Sequence, residues 1–259
     1  MELLSLYSIS SDPRIPWAKT IVLDSATTYC QNRKRQTWKI SLWNGLLLPS
    51  TIKDLTVDSF SYNLKSVVES RMVESFIHMK RLELTGIWSS YIGKRQSLHL
   101  VPPNLEVLIC PKLNVKLHSL TKSLQSIDCY LLDLAAVPNL KDLTCHQISS
   151  DTLPQFLLSL HIDYLSVTAL RGCPNLREIR LAMLADGGKI DLSWFPRLRS
   201  CSITNLSDLL DLRHQTLRNL SAYEYEEIDL TGLPKLVWLE TQDYVQFRAG
   251  GDWDFWIKI

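Results

Sequence analysis

One hydrophobic pattern recurs along most of the chain. An apolar residue is followed by two variable positions, a second apolar residue, one variable position and a third apolar residue. It stands out in PPNLEVLIC, VPNLKDLTC, CPNLREIRL and LPKLVWLET. The first apolar position, the anchor, falls at Ile52, Met79, Leu105, Leu124, Leu140, Leu157, Leu176, Leu198, Leu217 and Leu236. Successive anchors are 27, 26, 19, 16, 17, 19, 22, 19 and 19 residues apart. A repeat of this period predicts a stacked architecture, in which each unit buries its apolar side against its neighbours.

A column that plays no part in defining the pattern checks it. Eight residues after each anchor stand Phe60, Ile87, Leu113, Leu132, Ile148, Leu165, Leu184, Leu206, Tyr225 and Tyr244, all apolar. Against a background of 46% hydrophobic residues, ten in ten arises by chance about once in 2,000. Seven of the eleven prolines, Pro49, Pro103, Pro138, Pro154, Pro174, Pro196 and Pro234, lie two or three residues before an anchor. Proline cannot donate to a sheet ladder, so it suits the corner that leads into the next strand. A second fragment recurs before that corner, in Leu132-Asp133-Leu134, Ile190-Asp191-Leu192, Leu210-Asp211-Leu212 and Ile228-Asp229-Leu230. Its apolar residues are expected to close the core from the outer side. Of the two long units, one contains YNLKSVVESRMVESFIHM, which reads as an amphipathic helix. The other contains WSSYIGKRQSLHLVPP, which reads as a loop. The 16- and 17-residue units are too short for a helix and predict tight, extended returns.

These segments resemble leucine-rich repeats, whose consensus is L-x-x-L-x-L-x-x-N/C-x-L. Ten units cover residues 52 to about 246, and two weaker ones precede them at Ala18-x-x-Ile21-x-Leu23 and Thr37-x-x-Ile40-x-Leu42. The Cys-Pro-Asn-Leu wording of residues 173–176 is similar to the cysteine-containing repeats of F-box substrate receptors. VPPNLEVL and LPSTIKDL are also similar to the proline-led repeats of pathogen effectors. The resemblance implies an α/β solenoid, a horseshoe with a parallel β-sheet on its concave face and mostly irregular or short helical returns. It implies a single domain over residues 1–259, with 1–17 as an N-terminal cap, 18–246 as ten to twelve repeats and 247–259 as a C-terminal cap or tail. The chain departs from the family in its apolar column eight residues after the anchor, where asparagine or cysteine usually bonds the turn. The backbone groups there must find other partners.

If the pattern's core is a strand, alternation points anchor+3 and anchor+5 inward and anchor+2, +4 and +6 to solvent. Cys110, Cys129 and Cys145 share the anchor+5 column. Stacked thiols can bind a soft metal, but small buried side chains are the simpler expectation. The solvent-facing columns hold eight acidic and two basic residues, whereas anchor+1 holds Lys53, Lys80, Lys141, Arg177, Arg199 and Arg218. An acidic face and a basic edge are therefore expected. The candidate partner-binding residues on that face are Asp128, Tyr130, Asp142, His146, His161, Asp163, Glu178, Arg180, Tyr223, Trp238 and Glu240. Acid and aromatic side chains together suit a protein with a basic surface. In the C-terminal GGDWDFWIKI, alternation fits a capping strand, and Trp253, Phe255 and Trp256 offer an alternative docking tail.

Composition narrows the function classes. A balance of 28 basic and 27 acidic residues argues against a general nucleic-acid binder. No apolar run approaches the roughly 18 residues of a membrane span. The first residues, MELLSLYSISSDPR, lack the features of a signal peptide. Six cysteines without CxxC or zinc-like spacing read as free thiols in a cytoplasmic or nuclear protein. Arg33-Lys34-Arg35 reads as a solvated loop rather than a nuclear signal. Asp128, Asp142, His146, His161 and Asp163 gather on neighbouring strands, but no HExxH, nucleophile elbow, Walker loop or GxGxxG accompanies them. The expectation is a non-enzymatic protein-binding module with no catalytic residue, cofactor or metal. The alternative is an adaptor subunit of a ubiquitin ligase or another complex, although residues 1–50 contain no recognisable F-box.

Overall fold

A computed structural model of the chain describes residues 20–23, 53–58, 76–85, 97–117, 120–205, 208–224, 227–241, 246–248 and 256–258. Residues 1–17, Arg33-Lys34-Arg35, the weak unit at 37–42, residues 62–75 of the expected helix at 62–79, and Trp253 and Phe255 lie outside these; the described end of that stretch, 76–79, is a turn. The chain divides into two compact units, Met1–Pro138 and Asn139–Ile259. Each is a parallel-strand solenoid with little helix among the described residues.

In the first unit, β1 (Thr20–Leu23), β2 (Asp54–Asp58), β3 (Arg81–Thr85), β5 (Val107–Val115) and β6 (Ser126–Leu132) pair in that order. The early weak repeat is in register, with Ile21 opposite Leu55 and Leu23 opposite Val57. The stretch read as a loop contains a short strand, β4 (Ser97–Leu98), which pairs with Asn114 and Val115 at the far end of β5. The β5–β6 register shifts between Cys110 and Asn114. Pro111 lies in that interval, and its missing N–H fits a break in the ladder.

The second unit stacks seven strands in one sheet. They are β7 (Asp142–Ile148), β8 (Ser159–Leu165), β9 (Glu178–Leu184), β11 (Ser200–Asn205), β13 (Asn219–Glu224), β15 (Trp238–Thr241) and β17 (Trp256–Lys258). Two shorter ladders run on the return side, β10 (Ile190–Asp191) with β12 (Leu209–Asp211) and β14 (Glu227–Asp229) with β16 (Gln246–Arg248). The described helix is limited to α1 (Val167–Leu170) and 3-10 turns at Leu134–Ala136 and Leu192–Trp194.

The core follows the repeat. Every anchor from Met79 to Leu236 is buried, as are the anchor+3 residues from Leu82 to Leu239 and the anchor+5 residues from Leu84 to Thr241. Leu113, Leu132, Ile148, Leu165 and Leu184 of the anchor+8 column are buried too. Burying each leucine fully contributes roughly 1.5–3 kcal/mol. Anchor+8 reaches the core because anchor+6 and +7 both turn outward, a break in alternation visible at Asp163–Tyr164 and Ala182–Met183. The ladder simply continues past this corner, with Tyr164 opposite Met183 and Leu165 opposite Leu184. That continuation gives backbone groups at the corner partners on the next strand.

Backbone bonds set each corner. The anchor N–H donates three residues back, from Leu105, Leu176, Leu198 and Leu236 to the carbonyls of Pro102, Cys173, Phe195 and Leu233, at 2.9–3.2 Å. Pro103, Pro174, Pro196 and Pro234 occupy the second position of these turns, where a fixed φ is favourable. The next carbonyl then accepts two N–H groups from the following turn; that of Arg199, for example, accepts from Arg218 and Asn219 at 2.8 and 2.9 Å.

The aspartates of the second fragment cap the returns. Asp133, Asp191 and Asp229 accept from the N–H two residues on, at Ala135, Ser193 and Thr231. The Ser193 bonds hold the Asp191 carboxyl below its ordinary range. The apolar partners close the core at Leu132, Leu134, Ile190, Leu192 and Leu230. Two positions depart: Leu210 is 63% exposed with Leu209 buried in its stead, and Leu212 is only half-buried. A register shift between β10 and β12 moves the inward position by one residue.

Candidate functional site

The second unit presents the candidate residues as registered rows. Asp142, Ser159, Glu178, Ser200, Asn219 and Trp238 lie side by side, followed by Trp256 of β17. The next row runs Thr144, His161, Arg180, Ser202, Ser221, Glu240 and Lys258. His146, Asp163 and Tyr223 stand further along their strands, at anchor+6. Neighbouring strands are about 4.8 Å apart, so each row offers a side chain at nearly constant intervals. Asp142, Asp163 and Arg180 are exposed, His146, His161, Glu178, Tyr223 and Glu240 are half-buried, and Trp238 retains 38% exposure. Parallel sheets are ordinarily covered on both faces. Here the outer face is polar and accessible.

Most acids of this face are bonded within it. His146 Nδ1 lies 2.6 Å from Asp163 Oδ2, and the His146 ring meets Tyr164 edge-on at 4.9 Å. Glu178 Oε1 accepts from Arg180 Nε at 3.2 Å and lies 3.1 Å from His161 Nε2. Ser221 Oγ donates to Glu240 Oε2 at 3.3 Å. Asp142 makes no ion pair among the described residues. Exposed pairs of this kind contribute about 0–1 kcal/mol each, so they orient the side chains more than they stabilise the fold. The expectation of an acidic face is thereby refined: acids stand in register beside histidine and arginine side chains that bond them.

Asp128 and Tyr130 are half-buried on β6 of the first unit. Asp142, His146, His161 and Asp163 share β7 and β8 of the second. Among the described residues, no group of three or more His, Cys, Asp or Glu side chains is arranged to hold a metal ion. The anchor+5 thiols are buried, with Cys110 opposite Cys129 in the first unit and Cys145 in the second. Burial raises the Cys110 thiol far above its ordinary value, and the nearby Asp128 charge adds to this. In the anchor+3 column Cys201 is pushed up to about 12 by burial alone. Such thiols stay protonated and unreactive at neutral pH.

Two features of the face escaped the sequence reading. Tyr164 and Met183 are adjacent at anchor+7 and exposed by 40% and 54%. Strict alternation had assigned that column no side, and the apolar column one residue later was the available signal for a bend. The pairing of histidine with acid had its own signal, because His146 and Asp163 share anchor+6 on consecutive units. At the C-terminal end, Trp256–Lys258 forms β17, with Ile257 opposite Leu239. No helix among the described residues is long and apolar enough to cross a membrane. No protein-family model matches the chain, and no curated protein matches it.

Proposed function

We propose that the chain is a leucine-rich-repeat solenoid of the horseshoe type, acting as a non-enzymatic module that binds a protein partner through its sheet face. One observation carries this reading. A parallel sheet whose outer face is polar, registered and uncovered by the described residues is poised for a second molecule. Repeat scaffolds present broad surfaces of this kind, in which the core is periodic and the outward columns vary. Asp142, without an ion pair among the described residues and on the same strand as His146 of the bonded Asp163–His146 group, favours a partner that brings a cation to that corner. Trp238 and Tyr223 supply rigid contact area at the other end of the rows.

The test replaces Asp142→Lys, Asp163→Lys and Trp238→Ala together and compares partners co-purified from cells by quantitative mass spectrometry. The expected outcome is loss of specific partners by about tenfold or more, as for a charge reversal at a complementary interface. A partner set retained in full by the triple variant would sink the reading.

A further inference from the structure

The second unit carries another surface, on the rim where its strands begin. Arg177, Arg199 and Arg218 directly follow the anchors Leu176, Leu198 and Leu217, and all three are exposed. Backbone alone holds this row. The carbonyl of Arg177 accepts from Arg199 and Ser200, that of Arg199 from Arg218 and Asn219, and that of Arg218 from Val237 and Trp238. With Glu178, Ser200, Asn219 and Trp238 in register immediately after, the arginines stand on successive strands about 4.8 Å apart.

None of the three guanidiniums makes an ion pair or side-chain hydrogen bond among the described residues. Arg197 and Lys235, exposed in the turns just before their anchors, add charge to the same rim. Like charges on adjacent strands work against a sheet. The row does not require them, since Lys80 and Glu106 occupy it in the first unit and meet at 2.6 Å. An arginine on three consecutive strands, with no acid between, leaves a repulsion that a ligand's negative charge would relieve.

We propose that this rim binds an extended acidic peptide segment ending in an apolar residue. Guanidinium forks match carboxylates two bonds at a time. After the third arginine the row continues with Val237, and Trp238 follows it on the strand; they are 48% and 38% exposed, so an apolar contact adjoins the third arginine. From Arg177 to Val237 the rim spans three strand intervals, about 14 Å, which an extended peptide covers in roughly four or five residues. Glu178, directly after Arg177, confines the basic strip to the rim, which suits a single peptide strand better than a broad phosphate polymer. The surface shares Trp238 with the sheet face proposed above, but its arginines lie outside that face, and the variants below distinguish the two.

The experiment measures fluorescence anisotropy of the full chain with a labelled peptide of alternating aspartate and glutamate ending in phenylalanine. Binding is expected, weakened at least about tenfold by combining Arg177→Gln, Arg199→Gln and Arg218→Gln, and weakened by added salt. Val237→Asp is expected to weaken this peptide more than one lacking the phenylalanine. Asp142→Lys with Asp163→Lys should leave binding intact, and circular dichroism should report unchanged folding in every variant. No binding by the wild type, or equal binding by the arginine variant, would overturn the proposal. So would tighter rim-dependent binding of a single-stranded oligonucleotide or of anionic vesicles than of the peptide.

Discussion

The two units place different electrostatics on the equivalent backbone row. In the first, Lys80 and Glu106 occupy consecutive anchor+1 positions and neutralise each other at 2.6 Å. In the second, Arg177, Arg199 and Arg218 occupy three consecutive positions with no acid among them. Beneath both rows the core is the same, with buried anchors and buried anchor+3 and anchor+5 columns. The row's structural task is performed by its carbonyls, which accept paired N–H groups whether the side chain is Lys80, Glu106, Leu158 or Arg199. Side-chain identity there is thus released from the fold and available to chemistry.

The comparison can be broken most forcefully at the core. Leu108→Ala in β5 and Leu160→Ala in β8 remove fully buried anchor+3 side chains. Each should lower stability by about 2–5 kcal/mol, read from denaturant midpoints. A large cost in one unit with little in the other would show that the two cores are not equivalent.

A smaller effect is expected from alkali. Burial raises the Cys201 thiol to about 12, whereas an unfolded thiol ionises near about 8.5. The unfolded state therefore releases its proton first as pH rises. The associated stability is fully present below about 8.5 and lost on the way to about 12, at roughly 1.4 kcal/mol per pH unit. Cys201→Ala should flatten that slope in midpoints measured between pH 8 and 10, and an unchanged slope would count against a buried thiol.

The smallest effect addresses the rim itself. Arg199→Glu sets an acid between Arg177 and Arg218 and recreates the arrangement of the first unit. Stability should rise by on the order of 0.2–1 kcal/mol at low salt, shrinking as salt is added. A fall in the thermal midpoint would mean that the arginines relieve their repulsion in another way.

Much of this architecture was legible in the chain because burial imposes periodicity. The anchor, anchor+3, anchor+5 and anchor+8 columns follow from sequence alone, as does the proline placement, since an N–H-less residue fits few places in a ladder. What alternation could not convey was the double outward step at Asp163–Tyr164, where a corner replaces the pleat. Leu210 was misplaced for a related reason, a one-residue register shift with no side-chain signature. The caps at Asp133, Asp191 and Asp229 had a readable signal, because aspartate accepting from the N–H two residues on is a common turn device. The pairing on the face was partly hidden: columns list charges, but only register shows that Arg180 and His161 reach Glu178.

The registered ladder also has a kinetic consequence. Each strand pairs with one roughly a turn away in sequence, so no contact in the ladder waits on a distant segment. Within the second unit the described anchors are 17, 19, 22, 19 and 19 residues apart. Loop-closure entropy varies with the logarithm of length, so the penalty for adding the shortest or the longest of these turns differs by only about 0.2 kcal/mol. No turn is a privileged bottleneck. Folding can then nucleate on any well-packed neighbouring pair and zip outward, making the search time a matter of local steps rather than of total length.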